Sequence, residues 1–193
     1  MKQRENGIVI GTVIDLDDPE KLGRVKVQLP QYDDQTTYWA RLVSPMAGKQ
    51  RGFFFRPERE DEVLVGFENG DPRRAYVLGA LWSKVDPPPP RDGNEPQNNL
   101  RLIVTRANHI VRFDDTAGAE KIEIIAKGAK QKIVIDPVNG KVTIDCSSGD
   151  VEVSAPTGTF KVAAKTVDIQ ATVQATFKGS AGVTIEGATV NIN

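Results

Sequence analysis

Four acidic clusters have residue types and spacing that could do chemistry: Asp17-Asp18, Asp33-Asp34, Glu58-Arg59-Glu60-Asp61-Glu62 and Asp114-Asp115. Two carboxylates flanking a sugar bond at a set separation are the machinery of glycoside hydrolysis. Here the clusters fall at turns or strand starts and are interspersed with Arg and Lys, the pattern of a solvated surface. His109 is the only histidine, which excludes a two-histidine metal site within one chain, and its neighbours supply no second ligand pattern. Cys146 is the only cysteine, so no intrachain disulfide can form, and no base lies beside it in sequence. Alternation through Thr143-Ile144-Asp145-Cys146 places it inward as a small buried residue. Trp39, Trp82 and Phe53-Phe54-Phe55 could stack on bases or sugars, but are expected to be core or protomer-interface residues. No catalytic, cofactor or metal residue is assigned, and the expectation is a protein that is not an enzyme.

The elements that would position such groups are strands throughout. From Ile122 onward the chain repeats an alternating apolar triplet followed by a small or polar turn. The inward set is Ile122, Ile124, Ile133, Ile135, Val142, Ile144, Val151, Val153, Phe160, Val162, Val167, Ile169, Val183, Ile185, Val190 and Ile192. Period-two alternation is the strand signal, and seven to nine residues between most strand starts leaves room only for tight turns. Residues 171–182 fit the repeat less cleanly, and their register stays open. Such strands cannot close a core alone and must stack on one another or on other chains. A single-chain β-helix needs three faces and about twenty residues or more per coil. One strand per seven to nine residues instead suits three chains winding about one axis, each giving one face per layer. The expectation is an obligate homotrimer.

Residues 7–83 read as a small barrel. Residues 7–15 are β-rich, Asp17-Asp18-Pro19-Glu20-Lys21-Leu22-Gly23 has turn chemistry, and Arg24-Val25-Lys26-Val27-Gln28-Leu29 alternates until Pro30 stops it. Strands over 38–43, 62–67 and 75–81 complete five, the count of an oligonucleotide/oligosaccharide-binding (OB) barrel. Residues 85–96, with four consecutive prolines, read as a stiff spacer. The fold class is therefore all-β: an N-terminal OB-fold barrel (1–84), a Pro-rich linker (85–99), then junction strands and a C-terminal trimeric, triple-stranded, intertwined β-helix (100–193).

Charge and hydropathy bound the function. With 25 basic and 26 acidic residues the net charge is −1, without the basic excess of a general nucleic-acid or anionic-membrane binder. No apolar run is long enough to span a bilayer, and Met1-Lys2-Gln3-Arg4-Glu5-Asn6-Gly7 lacks the apolar stretch of a secretory signal. Synthesis in the cytoplasm without a signal peptide is expected.

Five segments carry a family resemblance: Leu22-Gly23-Arg24-Val25-Lys26-Val27; residues 39–48 around Ser44-Pro45-Met46-Ala47-Gly48; Gly52-Phe53-Phe54-Phe55-Arg56-Pro57; Asp61-Glu62-Val63-Leu64-Val65-Gly66-Phe67; and residues 71–82 from Asp71-Pro72 to Leu81-Trp82. In order and spacing they resemble the spike proteins of contractile injection machines, a family that includes phage baseplate protein V, gene 5-type tail spikes and the VgrG proteins of type VI secretion. Residues 108–122 resemble the family's junction from barrel to β-helix. The resemblance implies a structural homotrimeric spike in a phage or phage-tail-like particle, its OB end on a baseplate hub protein, its C-terminal end under a PAAR-like tip protein, used to puncture the target envelope. Many family spikes end in a histidine-x-histidine tip that holds iron; residues 187–193 have no such pair, so no tip metal is expected. No segment corresponds to the lysozyme domain of some phage spikes, and the barrel begins too near Met1 for a VgrG-type hub region, so the hub is expected to be a separate protein.

Two rivals make different predictions. A trimeric β-helical polysaccharide-degrading enzyme needs aromatic platforms on the shaft, where Phe160 and Phe177 are the only aromatics after Phe113. An OB-fold nucleic-acid or ligand-binding module needs a basic, aromatic-lined face.

Overall fold

Every second residue of the first apolar segment is a small or β-branched residue, and these become one wall of a barrel. The computed structural model describes residues 7–32, 35–90 and 96–191, in two compact units, Met1–Asp145 and Cys146–Asn193. Asp33-Asp34, Ile192, residues 1–6 and residues 91–95 of the spacer lie outside the described residues. Among the described residues there is no α-helix, only three single turns of 3-10 helix, and no helix is long and apolar enough to cross a membrane.

The barrel comprises β1 (Ile8–Asp15), β2 (Lys26–Leu29), β3 (Gln35–Thr36), β4 (Arg41–Leu42), the short pair β5 (Ala47–Gly48) and β6 (Arg51–Gly52), β7 (Glu62–Phe67) and β8 (Ala75–Ala80). Its sheet runs β3-β2-β1-β7-β8-β4, and a Val25–Ala40 bridge brings the two sides together. All its strand pairs are antiparallel except β4 with β8, where Arg41 faces Tyr76 and Leu42 faces Val77. This is an OB-like closure. Val9, Val13, Val25, Val27, Val63, Val65, Ala75 and Val77 fill the interior. Each buried valine contributes roughly 1.5 kcal/mol or more.

The strand expected over 38–43 is shorter than its sequence suggests. Thr37 and Ala40 take the buried positions, Tyr38 turns outward, and regular pairing is left only to Arg41 and Leu42. The Thr37 hydroxyl accepts the Val27 N–H at 3.0 Å, which favours a bend over continued ladder pairing. The β5–β6 pair was not anticipated at all.

Beyond the spacer, β9 (Leu100–Val104), β10 (Ile110–Asp114), β11 (Lys121–Ile125), β12 (Gln131–Asp136) and β13 (Lys141–Cys146) form a five-stranded sheet in sequence order. The β9–β10, β10–β11 and β11–β12 pairings are antiparallel. The triplets at 122–124, 133–135 and 142–144 thus lie in one intrachain meander, where the sequence suggested winding around partner chains. The turns explain the difference. Between β12 and β13, Asp136 accepts the Asn139 backbone N–H at 2.9 Å, and a compact reversal returns the chain beside itself. An ion pair between Arg106 and Glu58, at 3.1 Å, links the β9–β10 turn to the barrel.

In the second unit the same apolar alternation continues. No described residue after Cys146 belongs to a strand, and residues 147–191 are exposed throughout.

Candidate functional site

The register of the meander sorts its side chains into two unlike faces. Ile103, Val111, Ile124 and Ile133 stand in one row across four strands, and Phe113, Ile122 and Ile135 stand in the next. By alternation Val142 and Ile144 continue this face on β13. Most of these large apolar side chains are exposed in the single chain. On the opposite face Leu102, Arg112, Glu123 and Val134 form the corresponding row. Arg112 and Glu123 are ion-paired there, Glu123 being only 8% exposed, and Lys132 meets Asp145 at 3.2 Å. Most of the charge thus lies on this second face, although Arg101 stands opposite Phe113 at the margin of the apolar one. The second unit repeats the apolar signal: Val151, Val153, Phe160, Val162, Val167, Ile169, Val183, Ile185 and Val190 are all exposed.

In the described acidic clusters Asp18, Asp61 and Asp115 are engaged by turn N–H groups or by cations. Asp18 departs most from the surface expectation. It is 5% exposed and accepts the backbone N–H groups of Glu20, Leu22 and Arg24 at 3.1, 2.9 and 3.2 Å, together with the Arg24 guanidinium. The Arg24 hydrogen bonds, reinforced by those backbone donors, hold its carboxyl far below the ordinary value of 3.8. The sequence signal was present in the turn residues that follow Asp18, but the run of like charge concealed it. Asp15 accepts the Asp17 N–H, Asp61 accepts the Glu58 N–H, and Asp115 pairs with Arg101.

Because its folded-state value lies below the unfolded one, Asp18 contributes stability in full above about pH 4, and the contribution declines as acidification protonates the folded carboxyl. Asp18→Asn should melt several degrees lower at neutral pH, with the difference narrowing toward pH 2. A constant difference across thermal melts from pH 7 to pH 2 would contradict this.

The remaining single residues are also structural. The His109 ring Nδ1 accepts the Lys127 backbone N–H at 3.2 Å, joining two turns of the meander. No group of three His, Cys, Asp or Glu suited to a metal occurs among the described residues. Cys146 is half-buried, with its thiol near the carbonyls of Ser148 and Asp150, so the fully buried inward position expected for it is not found in the single chain. Trp39 is half-buried with Lys26 Nζ 5.0 Å from its ring centroid, whereas Trp82 is 71% exposed. Phe53, Phe54 and Phe55 are exposed too, which removes them and Trp82 from the barrel core.

These three phenylalanines border an open groove of about 640 Å³, with Leu22, Leu42, Val43 and Pro45 among its other walls. The β5–β6 pair positions them. Phe53 N–H donates to Met46 O at 3.0 Å, and the Ser44 hydroxyl lies within hydrogen-bond reach of the Met46 and Phe53 carbonyls. Gly52 has φ +143°, and a Cβ there would meet Met46 O at 2.3 Å, so only glycine fits. Gly23, at φ +75°, leaves space that the Phe54 ring occupies.

The chain thus joins an OB-like barrel to a meander in which one face carries mostly exposed apolar side chains. Residues 9–82 match the family described as the type VI secretion system/phage-baseplate injector OB domain. The chain is 34% identical over 120 residues to the type VI secretion system spike protein VgrG5 of Pseudomonas aeruginosa, covering 56% of this chain and 15% of that protein. It is 29% identical over 141 residues to the actin cross-linking toxin VgrG1 of Vibrio cholerae, covering 65% of this chain and 13% of that protein. VgrG3 of Vibrio cholerae is 27% identical over 141 residues, 14% of its length. The match thus spans about a seventh of these relatives. The barrel is therefore similar to the injector OB domain, and the matched stretches of the chain are similar to VgrG-type spike proteins.

Proposed function

We propose that three copies of this chain form the central spike of a contractile tail or injection device. The observation that carries the proposal is the pairing of two unfinished surfaces. The meander presents one face of mostly exposed apolar side chains, and the alternation continues through residues 149–191, none of which is in a strand. Three meanders facing inward would bury the first, and interchain winding would give the second its backbone hydrogen bonds and remove lateral strand edges. The trimer core would then hold the inward residues from Ile122 to Ile192.

The mechanism is mechanical. A shaft closed by continuous hydrogen bonding and an apolar axis resists compression, so force delivered at the barrel end reaches a small area of the target envelope. The barrels seat on the baseplate hub. At the other end the last apolar layer needs cover, and a PAAR-type tip supplies it. On this reading the chain itself performs no reaction, and the device assembles as a phage or phage-tail-like particle.

Light scattering after size exclusion tests the assembly directly. A mass near three times 21.1 kDa is expected, unchanged by mild detergent; a folded monomer would overturn the trimeric shaft.

A further inference from the structure

The turn that returns β13 beside β12 carries a reactive pair of residues for which the shaft has no use. It runs Asp136-Pro137-Val138-Asn139-Gly140-Lys141, and both Asn139 and Gly140 are exposed. The Asp136 carboxylate accepts the Asn139 backbone N–H and the Asn139 side-chain amide, each at 2.9 Å. This tether lies at the surface, so it opens by local fluctuation. Gly140 has φ +59°, the left-handed conformation that closes the turn. A Cβ there would meet nothing within 4 Å, so the space around its backbone is open. Its N–H makes only a long contact, 3.4 Å, with the Pro137 carbonyl. A second Asn-Gly pair among the described residues, Asn69-Gly70, stands in a different setting. Gly70 is buried, the Asp71 N–H donates to Glu68 O at 3.0 Å, and the Glu68 carboxylate is held by both Arg74 and Tyr76.

We infer that Asn139 is a site of spontaneous covalent modification, converted through a succinimide to aspartate and isoaspartate. The Gly140 backbone nitrogen gives its proton to solvent base and bonds to Asn139 Cγ. The Cγ–Nδ2 bond breaks, and the nitrogen takes a proton from water and leaves as ammonia. Water then opens the ring at one of its two carbonyls. Opening at Cγ leaves an aspartate; opening at the backbone carbonyl leaves an isoaspartate, with the chain routed through Cβ and Cγ. No reactant beyond water is needed. Glycine is the follower this step requires, because a Cβ would stand against the attacked carbon. Burial of Gly70 keeps its nitrogen from solvent base, so the same dipeptide persists in the barrel. Either product takes the Nδ2 donor from Asp136 and sets a second carboxylate beside it. Isoaspartate also adds one backbone carbon to the reversal. Within the chain β13 is paired on one side only, by β12, and the Lys132–Asp145 ion pair is its other tie. Isoaspartate at 139 therefore releases β13, and with it Val142 and Ile144, from the sheet. The chemistry needs the turn alone and does not depend on the assembly of three chains.

The test ages the full-length protein in warm, mildly alkaline buffer and then digests it with trypsin beside an unaged sample. Peptides 133–141 and 60–73, which hold the two pairs, are followed by mass spectrometry, and isoaspartate is counted by enzymatic methyl transfer. Asn139 should convert at least about tenfold faster than Asn69, the difference that local opening at Gly70 imposes. Protein aged in denaturant, where both pairs are exposed, should convert them at similar rates. Brief trypsin treatment should cut the aged, folded protein after Lys141 faster than the fresh one. Asn139→Gln, whose longer side chain closes the ring far more slowly, should show no such change on ageing; Asn139→Ser serves should the first variant fail to fold. An Asn139 that persists while the denatured protein converts overturns the proposal, as does equal conversion of Asn69 in the folded protein. Converted protein that resists trypsin as well as fresh protein does would sink the release of β13.

Discussion

Ile144→Asp should convert the protein from a trimer to a monomer of about 21.1 kDa while leaving the barrel folded. In the isolated chain Ile144 is exposed, so an aspartate there costs the monomer almost nothing. In a threefold shaft three copies meet at one layer. The substitution then removes three apolar contacts, each worth roughly 1.5 to 3 kcal/mol, and asks three carboxylates to leave water together. Desolvating each unpaired carboxylate costs several kcal/mol more. Together these exceed what one layer of the shaft contributes. Thr143→Asp is the control, since Thr143 points to the other face, where Lys132 and Asp145 already place charge; it should stay trimeric. Light scattering and thermal melting on both variants decide the matter. An Ile144→Asp protein that remains trimeric with unchanged melting sinks the inward assignment.

That contrast rests on alternation, the most legible property of this sequence. Period-two patterning marked β1, β2, β7 and β8 of the barrel and every strand of the meander, because a sheet with one apolar face must alternate. What alternation cannot convey is which strand pairs with which. The triplets at 122–124, 133–135 and 142–144 look like those after 150, yet the first group lies in one sheet and no described residue of the second is in a strand. Turn geometry decides this, as in the reversal built on Asp136 and Asn139. Polar residues were read less well for a related reason. Asp18 stands in an acidic run that resembles solvated surface, and its burial depends on backbone donors two, four and six residues ahead meeting at one carboxylate. Glu123 occupies an alternation slot that faces away from the apolar stripe, which reads as exposed. Its shelter comes from Arg112 on the neighbouring strand, a partner that only register reveals. The apolar groove was visible only as three adjacent phenylalanines, since the β5–β6 pair that presents them is too short to produce a pattern.

The Arg112–Glu123 pair is the second place where a single change should be costly. These residues sit directly opposite one another on β10 and β11, with Leu102 and Val134 as the outer neighbours in their row. Aliphatic neighbours keep water from both charges, and Glu123 is the more sheltered of the two. Removing one member leaves the other desolvated without compensation, whereas removing both removes the desolvation cost as well. Glu123→Leu should therefore destabilise the meander by about 2 kcal/mol, a value set below the usual range for a buried pair because Arg112 retains some solvent contact. Arg112→Leu should cost at least as much, since it leaves the more sheltered Glu123 without its partner. The double Leu variant should recover most of the loss, because leucine suits the row between Leu102 and Val134. Denaturant unfolding of the four proteins gives the coupling directly. Additive losses would mean that the two charges are independently solvated, and that the apolar face alone fixes the register of β10 against β11. Strong coupling would instead show the ion pair selecting that register. A one-residue slip would separate the charges and at the same time carry Ile122 and Ile124 to the wrong side of the sheet.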